Sequence, residues 1–218
     1  MTREWMDEEI RKLSLLARRA QDEPEEEEEE EAAGMPRESV VQLDLLRKGR
    51  SIVVSEPVTP KLTQRFLAQI LWLESQGNAP IKVYINTPGG SADDGFAVFD
   101  LIRYVRSPVY TICVGLNASA GTIILLGPPK ERRLALPNAR LMIHQPSGGA
   151  RGMASDVEIT ADEILKLRER ANQLIATETG RSLAQVETDT DRDHWLSAEE
   201  ACKYGLVSRI IRSLNEIQ

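Results

Sequence analysis

Hydrophobic positions between residues 40 and 212 follow two periods in turn, one typical of β-strands and one typical of helices. Short apolar runs rich in β-branched residues predict strands, whereas apolar residues three or four positions apart predict amphipathic helices. The predicted strands cover residues 51–55, 81–86, 109–114, 133–136, 140–143 and 206–211. The predicted helices cover residues 60–76, 92–105, 155–179 and 197–204, and one more opens near Ser119.

This alternation predicts an α/β fold in which crossover helices connect the strands of a parallel sheet. The chain has 218 residues, a length that suits one such domain better than two. Active sites of these folds gather in loops beyond the carboxyl ends of the strands. Two loops of this kind, residues 87–91 and 115–120, are therefore the first places in which we look for chemistry.

The N-terminal part of the chain has a different character. Residues 1–20 carry apolar residues at helical spacing, which predicts a short amphipathic helix. Residues 22–31 include nine acidic residues and no basic one, and charges that repel each other and bury nothing predict a disordered linker over residues 21–37. A solvated tail and a docking role both remain open for this run. We therefore predict an N-terminal extension, residues 1–37, and one folded domain, residues 38–218.

Outside the acidic run the chain is nearly neutral, because removing nine negative charges from the formal net charge of −7 leaves +2. No basic stripe for nucleic acid is present. The uncharged segment 107–129 is long enough to raise the question of a membrane span, but prolines and glycines interrupt it, and a buried strand followed by a buried helix is the better interpretation. We expect neither a membrane association nor a signal peptide, since the N-terminus is charged throughout.

The two cysteines, Cys113 and Cys202, lie far apart and show none of the spacings of a disulfide framework or a metal site. We therefore expect a cytoplasmic protein with reduced thiols and no bound metal.

Ser119 lies in the segment Asn-Ala-Ser-Ala-Gly, residues 117–121, between an apolar strand and an apolar helix. A nucleophilic serine needs a sharp strand-to-helix turn with small neighbours, so that its hydroxyl is exposed beside the free N–H groups of the helix start. Ala118, Ala120 and Gly121 meet that requirement. A serine in this position is more often a simple helix cap, so the cap remains an alternative.

Of the two histidines in the chain, His144 is the better candidate for a general base. It follows a buried strand and so lies at another carboxyl end, where a base could face Ser119. A structural histidine is the alternative. We interpret His194, beside Trp195 and a helix cap, as a surface or packing residue. A base also needs a carboxylate to orient it, and the residues alone do not choose among Asp189, Asp191 and Asp193.

The segment Thr-Pro-Gly-Gly-Ser, residues 87–91, follows a strand and opens a helix. Paired glycines let the backbone approach a ligand and point N–H groups at an anion. An oxyanion hole formed by the N–H groups of Gly90 and Ala120 fits this arrangement. The chain has no phosphate-binding GxxxxGK[ST] or GxGxxG motif after a strand, so we expect no ATP hydrolysis by the chain itself and no cofactor.

Five segments together resemble the proteolytic subunit of the Clp protease, the ClpP family, over roughly residues 45–212. They are YINTPGGS (84–91), TICVGLNASAG (111–121), LPNARLMIHQP (136–146), GGARGMASDVEI (148–159) and DTDRDHWLSAEEACKYGLV (189–207). The segments are long, and they occur in the family's order with near-family spacing. The resemblance implies an α/β fold of the ClpP/crotonase-like spiral type, with repeated β-β-α units and a protruding handle helix.

The resemblance also implies roles for individual residues. Ser119 matches the nucleophile of a serine endopeptidase and His144 its general base, and Asp193 matches the orienting carboxylate, which selects it among the three candidates. Gly90 and Ala120 match the backbone donors of the oxyanion hole. The remaining matches are Gly148 and Gly149, in a segment that pairs with an extended substrate, and Arg192, which couples ring assembly to alignment of the triad.

By the same resemblance, the substrates are peptides and unfolded proteins. The expected assembly is a homo-oligomer of two stacked heptameric rings, a tetradecamer that encloses the active sites. The expected partner is an AAA+ unfoldase of the Clp type, and mixed rings with another ClpP subunit are an alternative to a homomeric assembly.

Three departures from the family pattern concern partner binding rather than the triad. The region of residues 35–45 does not match the apolar pore segment of the family. Lys82 takes the place of an aromatic residue, while Tyr84 and Tyr104 match, and the turn after the first strand reads Ser55-Glu56-Pro57 where the family has a glycine. Two other functions therefore stay open, a non-catalytic or accessory ClpP-like ring subunit and a crotonase-like acyl-CoA enzyme.

Overall fold

The computed structural model describes residues 37–149 and 151–217. The chain divides into two compact units, residues 1–45 and residues 46–218. Of the first unit, the described part is the beginning of helix α1 (Arg37–Arg47). The predicted amphipathic helix over residues 1–20 and nearly all of the predicted linker over residues 21–37 lie outside the described residues.

The second unit alternates strands and helices as the hydrophobic pattern predicts. Its strands are β1 (Ser51–Val54), β2 (Ile81–Thr87), β3 (Val109–Ala118), β4 (Arg133–Ala135), β5 (Arg140–Ile143), β6 (His194–Ser197) and β7 (Arg209–Ile210). Its helices are α2 (Pro60–Ser75), α3 (Ala92–Tyr104), α4 (Ala120–Leu125), α5 (Ala154–Thr179), α6 (Leu183–Asp189) and α7 (Ala198–Tyr204), with short 3-10 turns at Lys130–Arg132 and Leu214–Glu216.

The sheet is mostly parallel, as predicted. Strands β1, β2, β3, β4 and β7 follow one another as parallel neighbours, while β5 also pairs with β3 in parallel and β6 pairs with β5 antiparallel. Alternate residues of the strands point to opposite faces. A large core of buried residues contains Ile81, Val83 and Ile85 of β2. A smaller cluster includes Ile112 and packs against Tyr84.

Strand β3 is longer than the pattern predicts. Residues 115–120 are predicted as a loop, yet the strand continues to Ala118. The register with β2 jumps from Ile85–Cys113 to Thr87–Asn117, which marks a bulge in β3. At this bulge the backbone N–H of Leu116 donates to Oδ1 of Asn86 at 2.9 Å, so a side chain replaces the missing strand partner.

The two halves of β3, on either side of the bulge, pair with two different strands on the same edge. The first half of β3 pairs with β4, through Thr111 and its neighbours, and the second half pairs with β5, from Leu116 to Ala118. Gly115 and Asn117 look like loop residues in the sequence because neither favours a strand. Pairing with β5 overrides that local preference, and the predicted loop is wrong for this reason.

Two further predictions need correction. The strand predicted over residues 206–211 is reduced to Arg209–Ile210, because Leu206 and Val207 turn into the core after the C-terminal cap of α7. Helix α6 and strand β6 are not predicted by the hydrophobic pattern. The capping box of α7 is confirmed, with Ser197 and Glu200 bonded to each other's backbone N–H groups and Gly205 ending the helix at a φ of 100°.

Helix α5 is the longest helix of the described residues. Its buried residues are Ala171, Asn172, Ile175 and Ala176, all in its C-terminal part, and its N-terminal part carries exposed apolar residues such as Ile159. Within the described ranges, no helix has the length and apolar character needed to cross a bilayer.

Candidate active site

The strand register brings three predicted residues to one edge of the sheet. Ala118 pairs with Met142 in the parallel β3–β5 pair, so Ser119 and His144 leave neighbouring strands at the same end. Ile143 pairs with His194 in the antiparallel β5–β6 pair, so Asp193 stands opposite His144. The fold therefore places the three side chains together without any long loop.

Ser119 occupies a strained turn between β3 and α4. Its φ of 55° and ψ of −123° lie in the left-handed half of the Ramachandran plot, where a residue with a Cβ atom costs about 1–3 kcal/mol. The turn is held because the Ser119 N–H donates to the Met142 carbonyl at 2.9 Å and the Thr122 N–H donates to the Ser119 carbonyl at 2.8 Å. In this strained conformation, the Ser119 hydroxyl lies at the edge of the turn.

The Ser119 hydroxyl does not cap helix α4, since the helix has no side-chain cap bond. Its Oγ lies 2.8 Å from Nε2 of His144 instead. The alternative of a simple helix cap is therefore wrong, and the hydroxyl is directed at the histidine.

His144 also contacts a carboxylate through its other ring nitrogen. Nδ1 of His144 lies 3.1 Å from Oδ1 of Asp193. The histidine side chain is 21% exposed and that of Asp193 is 60% exposed in the single chain. A carboxylate on Nδ1 favours the tautomer in which Nδ1 carries the proton and Nε2 is free to accept one from the serine.

The other two candidate carboxylates have different partners. Asp189 ends helix α6 and accepts bonds from the hydroxyl of Tyr204 and the amide of Gln185, each at 2.8 Å. The Asp191 carboxylate accepts a bond from the Gln145 side chain at 3.4 Å, and the Asp191 backbone carbonyl accepts from the same nitrogen at 2.8 Å. Only Asp193 of the three contacts His144, so the geometry distinguishes residues that the sequence pattern could not.

A buried set of hydrogen bonds holds the loop that carries Asp193. The backbone N–H of Gln145 donates to the Thr190 carbonyl at 2.6 Å. Thr190 is fully buried, and its hydroxyl lies 2.9 Å from Oδ1 of Asn172, itself buried in helix α5. Thr190 is thus tied both to the residue after His144 and to the long helix. Sequence reasoning missed Gln145, Thr190 and Asn172, because isolated polar residues carry no pattern that reveals their pairing.

The Gly89–Gly90 turn approaches the serine turn from strand β2. Gly89 and Gly90 have φ of 92° and 152°, which residues with a side chain rarely adopt. Gly90 forms a parallel bridge with Val58 through the Val58 N–H to the Gly89 carbonyl and the Ser91 N–H to the Val58 carbonyl, each at 2.9 Å. This bridge does not use the Gly90 N–H. Ala120 is the first residue of α4, where an N–H has no partner within the helix.

A cavity of about 170 Å³ adjoins these groups and is lined by Ser119, His144 and Gly90. The rest of its wall is largely apolar and comes from α4, β5 and α5. These residues include Ile123, Ile143, Leu167, Ala171 and Ile175. The cavity can accept an apolar side chain beside the Ser119 hydroxyl.

The residues predicted to act outside the triad, in substrate pairing and in assembly, are exposed in the single chain. Gly148 and Gly149 lie in a segment without regular structure that follows His144 directly. Arg192 is exposed, and within residues 37–149 and 151–217 no carboxylate forms an ion pair with it. His194 contacts the ring of Tyr204 at 5.9 Å between centroids, in agreement with a packing role.

The pKa of each cysteine thiol is raised, so neither cysteine is an activated nucleophile. Burial raises the pKa of the Cys113 thiol to about 12, so the thiol stays protonated at neutral pH. Burial and the neighbouring Glu199 also raise the pKa of Cys202. Both cysteines are free thiols.

Comparison with known proteins identifies one family. The family model described as Clp protease matches residues 35–214. The ATP-dependent Clp protease proteolytic subunit 3 of Rhizobium johnstonii is 48% identical over 172 residues, covering 79% of this chain and 89% of the relative. The ATP-dependent Clp protease proteolytic subunit 2 of Treponema denticola is 47% identical over 169 residues, covering 77% and 84%.

A solved structure extends the similarity to the fold. The structure of a mutant ClpP1 from Listeria monocytogenes superimposes with a TM-score of 0.76 at 39% sequence identity, and the match covers 82% of this chain and 99% of that one. The predicted α/β fold of the ClpP type is thereby confirmed.

Proposed function

The chain belongs to the Clp protease family, and from that premise we propose that it is a serine endopeptidase subunit that cleaves peptides and unfolded proteins through Ser119, His144 and Asp193. The contact that carries this proposal is the 2.8 Å approach of Ser119 Oγ to His144 Nε2, made from a strained turn in which the Ser119 hydroxyl does not cap the helix.

The chemistry is acyl transfer. His144 Nε2 takes the proton of Ser119 as Oγ attacks the scissile carbonyl carbon, and the carbonyl oxygen becomes an oxyanion. His144 then gives this proton to the leaving amine, and the C–N bond breaks. Water, deprotonated by the same nitrogen, attacks the acyl carbon, and the bond from that carbon to Oγ breaks as His144 returns the proton to Ser119.

The charges that develop in this reaction have partners in the site. The oxyanion would receive hydrogen bonds from the N–H groups of Gly90 and Ala120, donors that the surrounding backbone leaves unused. The imidazolium that forms on His144 would be stabilised by the carboxylate of Asp193. Since the Asp193 side chain is largely exposed in the single chain, solvent screens this second interaction.

The substrate proposed for this site is an extended peptide. Gly148 and Gly149 offer an exposed backbone edge beside His144 to which a peptide strand could add. The apolar cavity next to Ser119 supports a preference for an apolar side chain at the residue whose carbonyl is attacked.

The proposal includes the assembly that the family resemblance implies. We expect stacked heptameric rings in the cytoplasm that receive unfolded chains from an AAA+ unfoldase of the Clp type, with ATP consumed by that partner. Exposed apolar residues on the N-terminal part of α5, among them Val157, Ile159 and Leu165, support burial in a contact between copies. Free Cys113 and Cys202 agree with a reducing compartment.

The test is covalent labelling by a fluorophosphonate probe, read by intact-protein mass on wild type, Ser119→Ala and Ser75→Ala, the last an exposed serine on α2 outside the site. We expect one adduct on wild type and Ser75→Ala, and none on Ser119→Ala. A probe that labels Ser119→Ala equally, or that labels no variant, would overturn the proposal of an aligned Ser119 nucleophile. Cleavage of a fluorogenic peptide by the same variants then separates a peptidase from a protein that merely reacts with the probe.

The two other functions have less support. A non-catalytic ring subunit would have no need to keep the strained Ser119 turn directed at His144. A crotonase-like acyl-CoA enzyme would use the two backbone N–H groups but has no need of the Ser119, His144 and Asp193 contacts.

A further inference from the structure

Thr87 is a fully buried polar residue at the carboxyl end of β2, two positions before Gly89. It pairs with Asn117 in the register that resumes after the bulge of β3, two positions before Ser119. A buried hydroxyl needs hydrogen-bond partners, because an unsatisfied buried group costs roughly 1–3 kcal/mol. None of the steps of acyl transfer uses this side chain, so its bonds call for a separate explanation.

The hydroxyl of Thr87 joins two backbone segments. It donates to the carbonyl of Glu56, in the turn after β1, at 2.6 Å. It accepts the N–H of Gly89 at 3.2 Å. The Gly89–Gly90 loop is therefore fixed by Thr87 as well as by its bridge to Val58.

The methyl group of Thr87 lies against the helix that follows the serine. A Cβ atom on Gly121 would stand 2.6 Å from Cγ2 of Thr87, closer than real contacts of a Cβ atom. Gly121 follows Ala120 in the first turn of α4, and the Ala120 N–H is the second donor proposed for the oxyanion. One side chain thus contacts both segments that are proposed to hold the oxyanion.

We propose that Thr87 is a positioning residue for the oxyanion hole. Its hydroxyl fixes the segment that carries the Gly90 N–H, while its side chain rests on the helix start that carries the Ala120 N–H. Donors held in place in advance stabilise an oxyanion without reorganisation during the reaction, so a small change in their separation lowers the rate. The inference rests on the proposed peptidase function and adds a residue that this function requires.

The test compares Thr87→Val with Thr87→Ser in the full chain. Valine has nearly the shape of threonine but removes the partner of the Gly89 N–H and the Glu56 carbonyl, whereas serine keeps the hydroxyl. For Thr87→Val we expect kcat for a fluorogenic peptide to fall about tenfold to a hundredfold, less than the loss of a whole oxyanion donor. KM should change less than about threefold, since the donors act on the transition state rather than on the bound substrate. Thr87→Ser should keep kcat within about threefold of wild type.

A peptide boronic acid distinguishes positioning from a loss of folded protein. Such a compound bonds to the Ser119 Oγ as a tetrahedral adduct, and one of its oxygens takes the place of the oxyanion. In Thr87→Val its Ki should rise by about the factor by which kcat/KM falls, because a transition-state analogue shares the contacts of the transition state. A smaller folded fraction lowers the apparent kcat but leaves the Ki of the folded molecules unchanged. An unchanged Ki would therefore overturn the proposal, and so would an equal fall of kcat in Thr87→Ser.

Thr111→Val is the matched control. Thr111 is also a fully buried threonine, in the first half of β3, and its hydroxyl donates to the Leu125 carbonyl at 2.9 Å. The same substitution there removes a buried hydroxyl-to-carbonyl bond outside the site. It should lower the melting temperature by a comparable amount and change kcat less than about twofold. Equal losses of kcat in Thr87→Val and Thr111→Val would assign the effect to stability and overturn the proposal.

Amide hydrogen exchange, resolved to single residues by mass spectrometry, tests the positioning without turnover. The Ser91 N–H donates to the Val58 carbonyl and makes no bond to Thr87, so it reports on the loop as a whole. Its exchange should become about tenfold faster or more in Thr87→Val and stay unchanged in Thr111→Val. If wild type does not cleave the peptide, the peptidase function fails, and this exchange rate alone decides whether Thr87 holds the loop. An unchanged rate in Thr87→Val would overturn the proposal.

Discussion

Gly89 lies directly against Ser119: a Cβ atom placed on Gly89 would stand 2.7 Å from Cβ of Ser119 and 2.6 Å from the carbonyl oxygen of Ala118. Both distances are shorter than real contacts of a Cβ atom, so the two loops meet with no space for a side chain between them. The loop proposed to donate to the oxyanion and the loop that carries the nucleophile therefore cannot move independently.

Gly89→Ala tests this contact. The added methyl group should displace the Ser119 turn, and a misplacement of about 1 Å typically costs on the order of a hundredfold in rate. We expect kcat for a fluorogenic peptide to fall by about that factor while circular dichroism shows a folded protein. Gly77→Ala is the control, because Gly77 has a φ of 121° but no neighbour within 4 Å of its Cβ position. Wild-type kcat in Gly89→Ala would contradict the coupling of the two loops.

Ala171→Leu tests the proposed substrate preference. Ala171 lies on α5 and lines the cavity beside Ser119, so a larger side chain reduces the space for the substrate. We expect kcat/KM to fall about 10-fold or more for peptides with leucine or phenylalanine before the cleaved bond, since one methylene in such a pocket is worth about 1–3 kcal/mol. Peptides with alanine at that position should be affected less, and labelling by a small fluorophosphonate should persist. A uniform loss for all peptides would exclude a role of the cavity in specificity.

Asn86 should be required for the alignment of Ser119. Its Oδ1 accepts the bond from Leu116 that closes the bulge in β3, three residues before the serine. Asn86→Ala removes this acceptor and should lower kcat about tenfold, because the strand end that presents Ser119 loses a fixed point. Asn86→Asp keeps an acceptor at the same place and should restore most of the activity. An equal loss of kcat in both variants would show that the hydrogen bond from Leu116 does not account for the effect of Asn86.

Asn117 differs from Asn86 because both polar atoms of its side chain are buried without a hydrogen bond to any residue that the structure describes. An unsatisfied buried group of this kind costs roughly 1–3 kcal/mol. Asn117→Ala removes this cost, and the melting temperature, measured by differential scanning fluorimetry, should be equal to or above that of wild type. A clear drop in melting temperature would show that the amide has a partner or fills space that the fold needs.

The pH dependence of stability should contain a contribution from Glu74. Its folded pKa, about 2, lies below the ordinary value of 4.5, because the side chains of Ser107 and Arg106 donate hydrogen bonds to the carboxylate. Stability from this group is therefore complete above about pH 4.5 and is lost as the pH falls toward 2. The difference in melting temperature between wild type and Glu74→Gln should be largest near neutral pH and shrink through that interval. Glu187→Gln, at an exposed position, should show no such trend; a constant difference for Glu74→Gln would refute the assignment.

The sequence pattern predicted the parallel α/β fold because the spacing of apolar residues depends on which faces of a strand or helix are buried. It also predicted that the carboxyl ends of two strands carry the candidate site, and this identified Ser119 and His144 as candidate residues. It failed where a partner distant in the chain decides the local structure. Strand β3 continues past Gly115 because β5 pairs with it, and short β6 forms only against β5. No local signal records these pairings.

The choice among the acidic residues shows the same limit. Asp189, Asp191 and Asp193 lie within five positions of one another, and their types are identical. Which of them meets His144 depends on where α6 ends and on the antiparallel register of β6 with β5. The family resemblance supplied the answer from outside the residue pattern, and the contact at 3.1 Å agrees with it.

The division of β3 between two neighbours gives the site a mechanical property. One half of the strand is bound to β4, which in turn holds β7, and the other half is bound to β5, which carries His144. Because β3 is hydrogen-bonded to both neighbours, a displacement of the β4–β7 side would reach Ser119 along β3 and His144 through the pairing of β3 with β5. We therefore expect such a displacement to move these two residues in the same direction.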